Sequence, residues 1–365
     1  MKVLWLTNIP SPYRVKFFNE LGKKCKLTVL FEKKSSSERD DSWKEFSANN
    51  FTAVFLQGKN IGVAEAVCPS VVRYINKEYD HIVVTNYSDP TGMIAISYMK
   101  SRRIHYEIEG DGAFPVHCTG IKKVIKRFLL SGADRYFSTA KMHDKYYQIN
   151  GVDTRKIVRY PFTSVYQKEV LRNPITYDKK CEIREQLGMS ENKIILAVGQ
   201  FIPRKGFDVL INSARNLKPE YGVYIVGGTA PEQYTKMLKN CNNNNVHFVE
   251  FKRAEELEQY YLAADIFVHP TREDIWGLVI NEALSKGLPV VTTDHCIAGL
   301  EMIESGVNGE IVPVGDKEML YKAICNCIVE ASNMRTNALH TAEKYTIENM
   351  AQTHVDVWNN RRIDL

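Results

Sequence analysis

Residues 264–293 read ADIFVHPTREDIWGLVINEALSKGLPVVTT, and this stretch decides the fold of the second half of the chain. A hydrophobic strand, Ile266 to His269, is predicted to stop where a proline follows, because proline cannot donate to a sheet ladder. A short acidic loop comes next. A helix is then predicted from about Leu278 to Gly287, followed by a second strand from Pro289 to Thr292.

The acidic loop and the helix form a candidate nucleotide site. Asp274 lies in the loop, and Glu282 lies one turn inside the helix. Trp276 and Gly277 turn the chain so that unpaired backbone N–H groups at Leu278 point outward, and such a helix start attracts phosphate. The carboxylate of Glu282 can accept two hydrogen bonds from a vicinal diol, as on a ribose. Phosphate beside a diol predicts a nucleotide.

These motifs resemble the retaining, nucleotide-sugar-dependent glycosyltransferases of family 4, also called group 1. That family has two glutamates separated by seven residues; this chain reads Asp274-x7-Glu282 within HPT, WGLVINEA and GLPVV. The resemblance implies an α/β, GT-B fold, in which two Rossmann-like parallel-sheet domains face a cleft. It also implies that the first acid contacts the donor sugar. Asp274 is one methylene shorter than the usual Glu, so Glu273 is an alternative, and Trp276 is either core or a wall beside the sugar.

A second motif precedes the first, where the strand Ile194 to Val198 is followed by GQFIPRKG, residues 199–206. The family has Gly-Arg and then Lys-Gly here, and its Arg and Lys bind the donor diphosphate. Lys205 matches that Lys, Gln200 replaces the Arg, and Arg204 can compensate for the lost charge. By resemblance, further donor-binding candidates lie in the turns after this strand and the next two: Gly199, Gly227, Gly228, Phe251 and Lys252.

The first half of the chain alternates strand and helix signals, which predicts a parallel sheet with helices on both faces. Ligands of such sheets bind outside the carboxyl ends of the strands. The acceptor pocket is therefore expected at those ends, with the candidates Pro10, Ser11, Tyr13 and Asp89.

One strand end departs from the family. Many relatives carry a His-Gly where the strand Ile104 to Ile108 ends, and this chain has Glu109-Gly110-Asp111-Gly112 instead. Glu109 and Asp111 are candidate catalytic residues that orient an acceptor hydroxyl or stabilise a cationic sugar transition state. The alternative is an Asp-Gly turn that only closes the strand.

The predicted organisation has three parts: residues 1–168 bind the acceptor, residues 169–345 bind the donor, and residues 346–365 form a helix that returns to the first domain by resemblance. Polar runs at 35–44 and 242–245 are predicted to be loops, and helices are predicted from Lys317 to Ala331 and from Ile347 to Asn359.

Composition sets the protein class. A chain of 365 residues with 44% hydrophobic and 25% charged residues is typical of a soluble globular protein. A net charge of +5 suits an anionic donor or membrane surface and falls short of a nucleic-acid footprint, so no nucleic-acid partner is expected. The eight cysteines lack zinc-ligand spacing, which predicts reduced thiols and no metal site. Without a signal peptide or an apolar run of about eighteen residues, a cytoplasmic location is expected.

Residues 121–130 read IKKVIKRFLL and predict a basic amphipathic helix. Such a helix can lie on the cytoplasmic face of an anionic membrane. The alternative is a solvated surface helix whose apolar stripe is packed in the core.

The function expected from the resemblance is transfer of a sugar, a hexose in the first instance, from a UDP- or GDP-sugar to a glycan or lipid-linked glycan, with no obligatory metal. The setting implied is bacterial surface polysaccharide, capsule or lipopolysaccharide assembly. Two alternatives remain open: a non-catalytic nucleotide-sugar-binding partner of another transferase, and a sugar-nucleotide epimerase of the same fold.

Overall fold

The computed structural model describes residues 1–34, 47–61, 65–239 and 245–361. The predicted loop at 35–44 and most of that at 242–245 lie outside these residues. The chain forms two compact units: unit 1 is Met1–Ser164 with Tyr345–Leu365, and unit 2 is Val165–Lys344. The divisions lie at 164/165 and 344/345, against 168/169 and 345/346 expected from the sequence.

Unit 1 contains a seven-stranded parallel sheet, flanked by helices, and a small antiparallel hairpin. Its strands are β1 Lys2–Thr7, β2 Lys26–Phe31, β3 Thr52–Phe55, β4 Lys59–Asn60, β5 Ala66–Val67, β6 His81–Val84, β7 Glu107–Glu109, β8 Tyr136–Ser138 and β9 Ile157–Arg159. The sheet order is β3-β2-β1-β6-β7-β8-β9, and β4 pairs with β5. Its helices are α1 Pro12–Gly22, α2 Pro90–Arg102, α3 Gly120–Leu130, α4 Lys141–Ile149 and, near the chain end, α12 Ile347–Trp358.

Unit 2 contains a six-stranded parallel sheet in the order β12-β11-β10-β13-β14-β15. Its strands are β10 Lys193–Val198, β11 Tyr221–Val226, β12 Val246–Val249, β13 Ile266–His269, β14 Val290–Thr293 and β15 Gly309–Val312. Its helices are α5 Tyr177–Gln186, α6 Phe207–Ala214, α7 Glu232–Lys239, α8 Ala254–Ala263, α9 Leu278–Ser285, α10 Ile297–Met302 and α11 Lys317–Lys344. The central strands are buried on both faces, which explains their continuous apolar runs.

The order of strands places the loops that matter for function. In unit 2, β11 and β12 lie on one side of β10, and β13 lies on its other side. The loops after β10 and β13 therefore meet at the carboxyl edge, at the switch point where parallel sheets bind ligands. Unit 1 has the equivalent switch point between β1 and β6.

The α/β prediction of two Rossmann-like parallel sheets is confirmed, with two differences of extent. Strand β7 starts at Glu107, not at Ile104, because only Glu107 to Glu109 pair with its neighbours β6 and β8. Helix α11 runs to Lys344 where the sequence predicted an end at Ala331. Among the described helices, none is long and apolar enough to cross a membrane.

Helix α12 packs within unit 1. The ring of His354 stacks on Phe137 with 4.3 Å between centroids. Trp358 Nε1 donates a hydrogen bond to Glu107 Oε2 over 2.7 Å. These buried contacts tie the end of the chain to strands β7 and β8.

Candidate active site

The loop after β13 holds Asp274 in a fixed place at the carboxyl edge of unit 2. Its N–H donates to the carbonyl of His295 over 2.9 Å, and its carbonyl accepts from the N–H of Ile297 over 3.1 Å. The backbone of Asp274 thus pairs with the segment after β14, and its side chain is left about one-eighth exposed, at 12%.

The loop after β10 brings a cation to this carboxylate. Lys205 ends a short 3-10 turn that closes at Gly206, whose φ is +70°. A Cβ at Gly206 would overlap the carbonyl oxygen of Pro270, so only glycine lets the two loops approach this closely. Lys205 Nζ lies 2.5 Å from Asp274 Oδ2.

Arg204 contacts the carboxylate of Asp274 from the solvent side. Its guanidinium lies 3.3 Å from Asp274 Oδ1 and donates to the carbonyl of Glu273 over 2.8 Å. Of the two candidate acids, the structure therefore brings the carboxylate of Asp274 to Lys205, whereas the side chain of Glu273 is exposed.

The charge of Asp274 is stabilised despite its burial. Burial alone would raise its pKa, but the hydrogen bond with His269 and the charge of Lys205 outweigh burial and hold the pKa of Asp274 well below its usual range. His269 Nε2 lies 3.1 Å from Asp274 Oδ2. Burial lowers the pKa of His269, so the imidazole is neutral at pH 7.

Helix α9 begins at the same edge. Gly277 precedes it with φ +107°, a conformation in which a side chain would be strained. Trp276 is buried, and its Nε1 donates to Asn281 Oδ1 over 2.8 Å, which gives it a core contact. Glu282 is half-buried, and its Oε2 accepts a hydrogen bond from Tyr261 over 3.0 Å.

The glycine turns after β10 and β11 are in contact. A Cβ at Gly227 would overlap the carbonyl oxygen of Gly199, so this close approach requires glycine, and Gly228 has φ +102°. The stem of Lys205 runs past Gly199, since a Cβ there would lie 3.6 Å from its Cδ and Cε. The side chain of Gln200 is exposed beside them.

Phe251 and Lys252 lie further from this group. They follow β12, which is separated from β10 by β11. Phe251 is 53% exposed, and Lys252 Nζ lies 3.4 Å from Glu256 at the start of α8. The structure therefore gathers the loops after β10, β11 and β13 and leaves this pair at the margin.

The carboxyl edge of unit 1 holds a second buried ionic group. Arg14 donates to both carboxylate oxygens of Glu109, over 3.0 and 2.8 Å, and also to Asp111. Tyr13 donates to Asp111 Oδ2 over 2.7 Å. Thr85, at the end of β6, donates to Glu109 over 3.3 Å.

Glu109 and Asp111 differ in accessibility. The side chain of Asp111 is 27% exposed, and that of Glu109 has no exposed surface. Burial raises the pKa of Glu109 to about 7, although Arg14 opposes the shift. A carboxylate sealed in this way cannot touch a substrate, so Glu109 fits a structural pair, against the catalytic role expected from the sequence.

The other acceptor candidates are placed around this edge. Pro10 and Ser11 follow β1 and are buried, and Tyr13 is half-buried. Asp89 immediately precedes α2, and burial together with Glu65 raises its pKa to about 6. Of these, the structure joins only Tyr13 to Asp111 by a hydrogen bond.

Three residues in these groups were missed by the sequence reasoning. Arg14 lies in the first turn of α1, and its pairing with Glu109 spans 95 residues, so no local pattern shows it. His269 carried a signal, because it ends a strand five residues before Asp274. His143 of α4 is buried against Gly110, and burial lowers its pKa to about 3.

Comparison with known proteins shows which family the sequence of unit 2 resembles. Residues 179–344 match the family described as glycosyl transferases group 1. Most of unit 2 is therefore similar to group 1 glycosyl transferases. The lipopolysaccharide glucosyltransferase WaaG of Escherichia coli is 24% identical over 200 residues, which cover 53% of this chain and 52% of WaaG. The amylovoran biosynthesis glycosyltransferase AmsK of Erwinia amylovora is 33% identical over 138 residues, 34% of this chain and 33% of AmsK. The chain thus matches about half or less of the length of these relatives.

Solved structures extend the likeness in fold to both units. Anabaena HepE in complex with UDP has a TM-score of 0.78 at 19% identity, covering 99% of this chain and 100% of HepE. The crystal structure of WaaG has a TM-score of 0.64 at 15% identity, covering 97% of this chain and 99% of WaaG. At these identities the likeness concerns the fold, and it confirms the GT-B class.

Proposed function

We propose that this protein transfers a sugar, with retention, from a nucleoside-diphosphate sugar to a glycan or lipid-linked glycan. The observation that carries the proposal is the pairing of Lys205 with Asp274 across the switch point of unit 2. The start of α9 and the carboxylate of Glu282 lie on the element that follows the same loop. A cation, a helix start and two carboxylates are the groups that a sugar nucleotide requires.

In this proposal each group of unit 2 has one role. Lys205, Arg204 and the first N–H groups of α9 bind the diphosphate, whose departure develops most of the negative charge. Glu282 accepts hydrogen bonds from the ribose diol, and Asp274 accepts them from hydroxyls of the donor sugar. The glycine turns at Gly199 and Gly227 allow the nucleotide to approach the backbone.

The donor proposed first is a UDP-sugar, because structures of the similarly folded HepE contain UDP and UDP-glucose. Fixed positive groups of the chain supply the charge in this scheme, so we further propose that no metal is obligatory. Activity should then persist in EDTA, and its loss would overturn that part.

In unit 1 we propose that Asp111, not Glu109, contacts the acceptor. Asp111 is the partly exposed member of the pair, and Tyr13 and Arg14 fix its orientation. Relatives are named for lipopolysaccharide and amylovoran synthesis, and one is described as lying in a cps region of Klebsiella pneumoniae. Assembly of a bacterial surface polysaccharide is therefore the setting we propose.

The deciding experiment is a thermal-shift panel with UDP, GDP, ADP and CMP and their sugars, run beside Glu282→Ala. A ligand that binds only the folded protein stabilises it by about 2.7 kcal/mol at a hundredfold excess over Kd. One nucleotide should raise the Tm of the wild type and not that of the variant. If none does so, the donor site is wrong.

Turnover assays separate the alternatives. Binding without transfer to any acceptor extract would favour the non-catalytic partner. Conversion of the sugar nucleotide with no acceptor present would favour the epimerase.

We also propose that α3 rests on an anionic membrane surface at the cytoplasmic face. Leu129 and Leu130 at its end are buried, but the rest of its apolar stripe is not in the core, against the core-packed alternative: Ile121 is 79% and Val124 68% exposed, and Ile125 and Phe128 are exposed beside them. Lys122 and Lys123 are exposed on the same helix. An apolar stripe flanked by cations matches acyl chains beneath anionic headgroups.

Vesicle sedimentation tests this contact. Binding to phosphatidylglycerol–phosphatidylcholine vesicles should exceed binding to phosphatidylcholine alone. Lys122→Ala/Lys123→Ala should weaken it roughly thirtyfold, since each cation near the surface contributes about 1 kcal/mol. Ile121→Ser/Val124→Ser should also weaken it. The control is Val329→Ser on α11, which is 74% exposed. Equal binding by all variants would refute the contact.

A further inference from the structure

The histidine that ends β13 belongs to the ionic group of unit 2 and yet cannot reach a substrate. His269 has no exposed surface, and its Nε2 lies 3.1 Å from Asp274 Oδ2. The same oxygen accepts from Lys205 Nζ over 2.5 Å. Two donors of different mobility therefore share one carboxylate oxygen: a flexible ammonium and an imidazole fixed in the core.

The position of the imidazole proton follows from its surroundings. His269 Nδ1 is buried and has no hydrogen-bond partner among the described residues. A proton on Nδ1 would bury an unpaired N–H and would turn the Nε2 lone pair toward the carboxylate of Asp274. The neutral tautomer with the proton on Nε2 avoids both costs. His269 is therefore a hydrogen-bond donor to Asp274.

The ammonium of Lys205 is expected to bind two anions in turn, the carboxylate of Asp274 and the proposed diphosphate. It contacts Asp274, and its stem passes Gly199 at the strand end where the proposed diphosphate binds. Moving toward a diphosphate removes part of the positive charge from a largely buried carboxylate, which is costly unless another donor stays in place. Arg204 contacts the other oxygen, Oδ1, and is itself assigned to the diphosphate, so His269 is the donor that stays in place.

We propose that His269 is a positioning residue that keeps Asp274 ionised and oriented while Lys205 moves from Asp274 to the donor diphosphate. The inference rests on the proposed function. It links recognition of the phosphates to recognition of the sugar, because the oxygen that Lys205 releases becomes available to a sugar hydroxyl. Binding of the nucleoside diphosphate alone draws Lys205 away but places no sugar hydroxyl on Asp274, so it should depend on His269 less than binding of the sugar nucleotide does.

The test compares two ligands on two variants by titration calorimetry, with UDP and UDP-glucose, or the pair that the thermal-shift panel identifies. His269→Leu removes the donor and keeps a similar apolar volume. His269→Gln can place an amide N–H near the position of Nε2. We expect His269→Leu to weaken binding of the nucleoside diphosphate, and to weaken binding of the sugar nucleotide by about a further tenfold, the effect of one hydrogen bond to a charged group. His269→Gln should recover most of that loss.

Equal weakening of both ligands, or of neither, would overturn the positioning role. If the wild type binds no nucleotide, the proposed function itself has failed, and that result is distinct because it appears before any variant is made. Should both variants unfold, ¹⁵N NMR of the wild-type imidazole still decides. The resonances should report a neutral ring with the proton on Nε2, and they should move with the sugar nucleotide more than with the nucleotide. A ring protonated at Nδ1 would refute the proposal.

Discussion

The carboxyl edges of the two sheets each hold a buried ionic group beside a switch point, but the charges are balanced in opposite ways. In unit 2, one carboxylate, Asp274, is shared by Lys205, Arg204 and a neutral histidine. In unit 1, one cation, Arg14, is shared by two carboxylates. The two cations of the unit 2 group therefore outnumber its one carboxylate, and the two carboxylates of the unit 1 group outnumber its one cation.

The pKa values of the two buried carboxyl groups follow this difference in charge balance. The carboxyl of Asp274 has its pKa held well below the usual range, whereas burial raises the pKa of Glu109 to about 7. An edge with surplus positive charge suits an anion such as a diphosphate. An edge with surplus negative charge suits hydroxyl groups and developing positive charge. The two sheets thus carry edges of opposite charge balance, which is what the proposed donor and acceptor sites require.

The largest expected effect comes from removing Arg14, the cation that Glu109 and Asp111 share at the edge of unit 1. Arg14→Met keeps much of the side-chain volume but leaves Glu109 buried without a partner charge. We expect a loss of about 3–5 kcal/mol in the free energy of unfolding at pH 7.5, measured by urea denaturation.

The double variant Arg14→Met/Glu109→Leu is the matched control. It removes both charges, so it should recover part of the stability lost by Arg14→Met alone. A loss below about 1 kcal/mol in the single variant would show that the pair contributes little.

Removing Lys205 from the unit 2 group should affect catalysis more than stability. Lys205→Ala should lower kcat by about 10²–10³-fold, the size of effect seen when one preorganised group that stabilises developing charge is lost. Lys236→Ala is the control, because Lys236 is an exposed lysine paired with Glu232 on α7. Comparable kcat values for the two variants would remove Lys205 from the mechanism.

The sequence predicted most of the unit 2 edge because its signals are local. Asp274 follows a recognisable strand, Glu282 lies in a recognisable helix, and Lys205 was assigned by resemblance to the family motif after β10. The glycines at 199 and 227 were named by resemblance, and the contact between their turns appears only in the structure. Phe251 and Lys252 were less well placed, since the strand they follow lies away from the switch point.

The unit 1 edge was less predictable because its contacts are long-range. Arg14 looked like an ordinary position in an amphipathic helix, and only the fold brings it to Glu109 at the end of β7. The predicted end of α11 at Ala331 was wrong for another reason. Met334, Leu339 and Ala342 continue its buried stripe, but the polar residues among them hid the period.

The pH dependence of stability offers a smaller test of the same contrast. The folded-state pKa of Glu109 is about 7, above its ordinary value of 4.5. Its native form therefore holds a proton that the unfolded chain has lost, and the resulting stability is full below about pH 4.5 and declines as pH rises toward 7. The decline is on the order of 3 kcal/mol.

Glu109→Gln cannot titrate, so its unfolding free energy should lack this decline between pH 4.5 and 7.5. The measurement is a set of urea denaturations across that range for both proteins. The difference between variant and wild type should grow in favour of the variant with rising pH. A constant difference would mean that Glu109 stays ionised throughout.

The smallest expected effect concerns one exposed residue at the edge of unit 2. Gln200 is exposed beside the turn after β10, at the position where the family resemblance implies an arginine. Gln200→Arg adds a charge-assisted donor to an edge already surplus in positive charge, so nucleoside diphosphate should bind more tightly, by about three- to tenfold. The gain should shrink as salt rises, because the new charge is exposed. Gln233→Arg on α7 adds the same charge at another exposed position and should leave Kd unchanged. If both variants tighten binding equally, overall charge is responsible and the position of residue 200 carries no specific role.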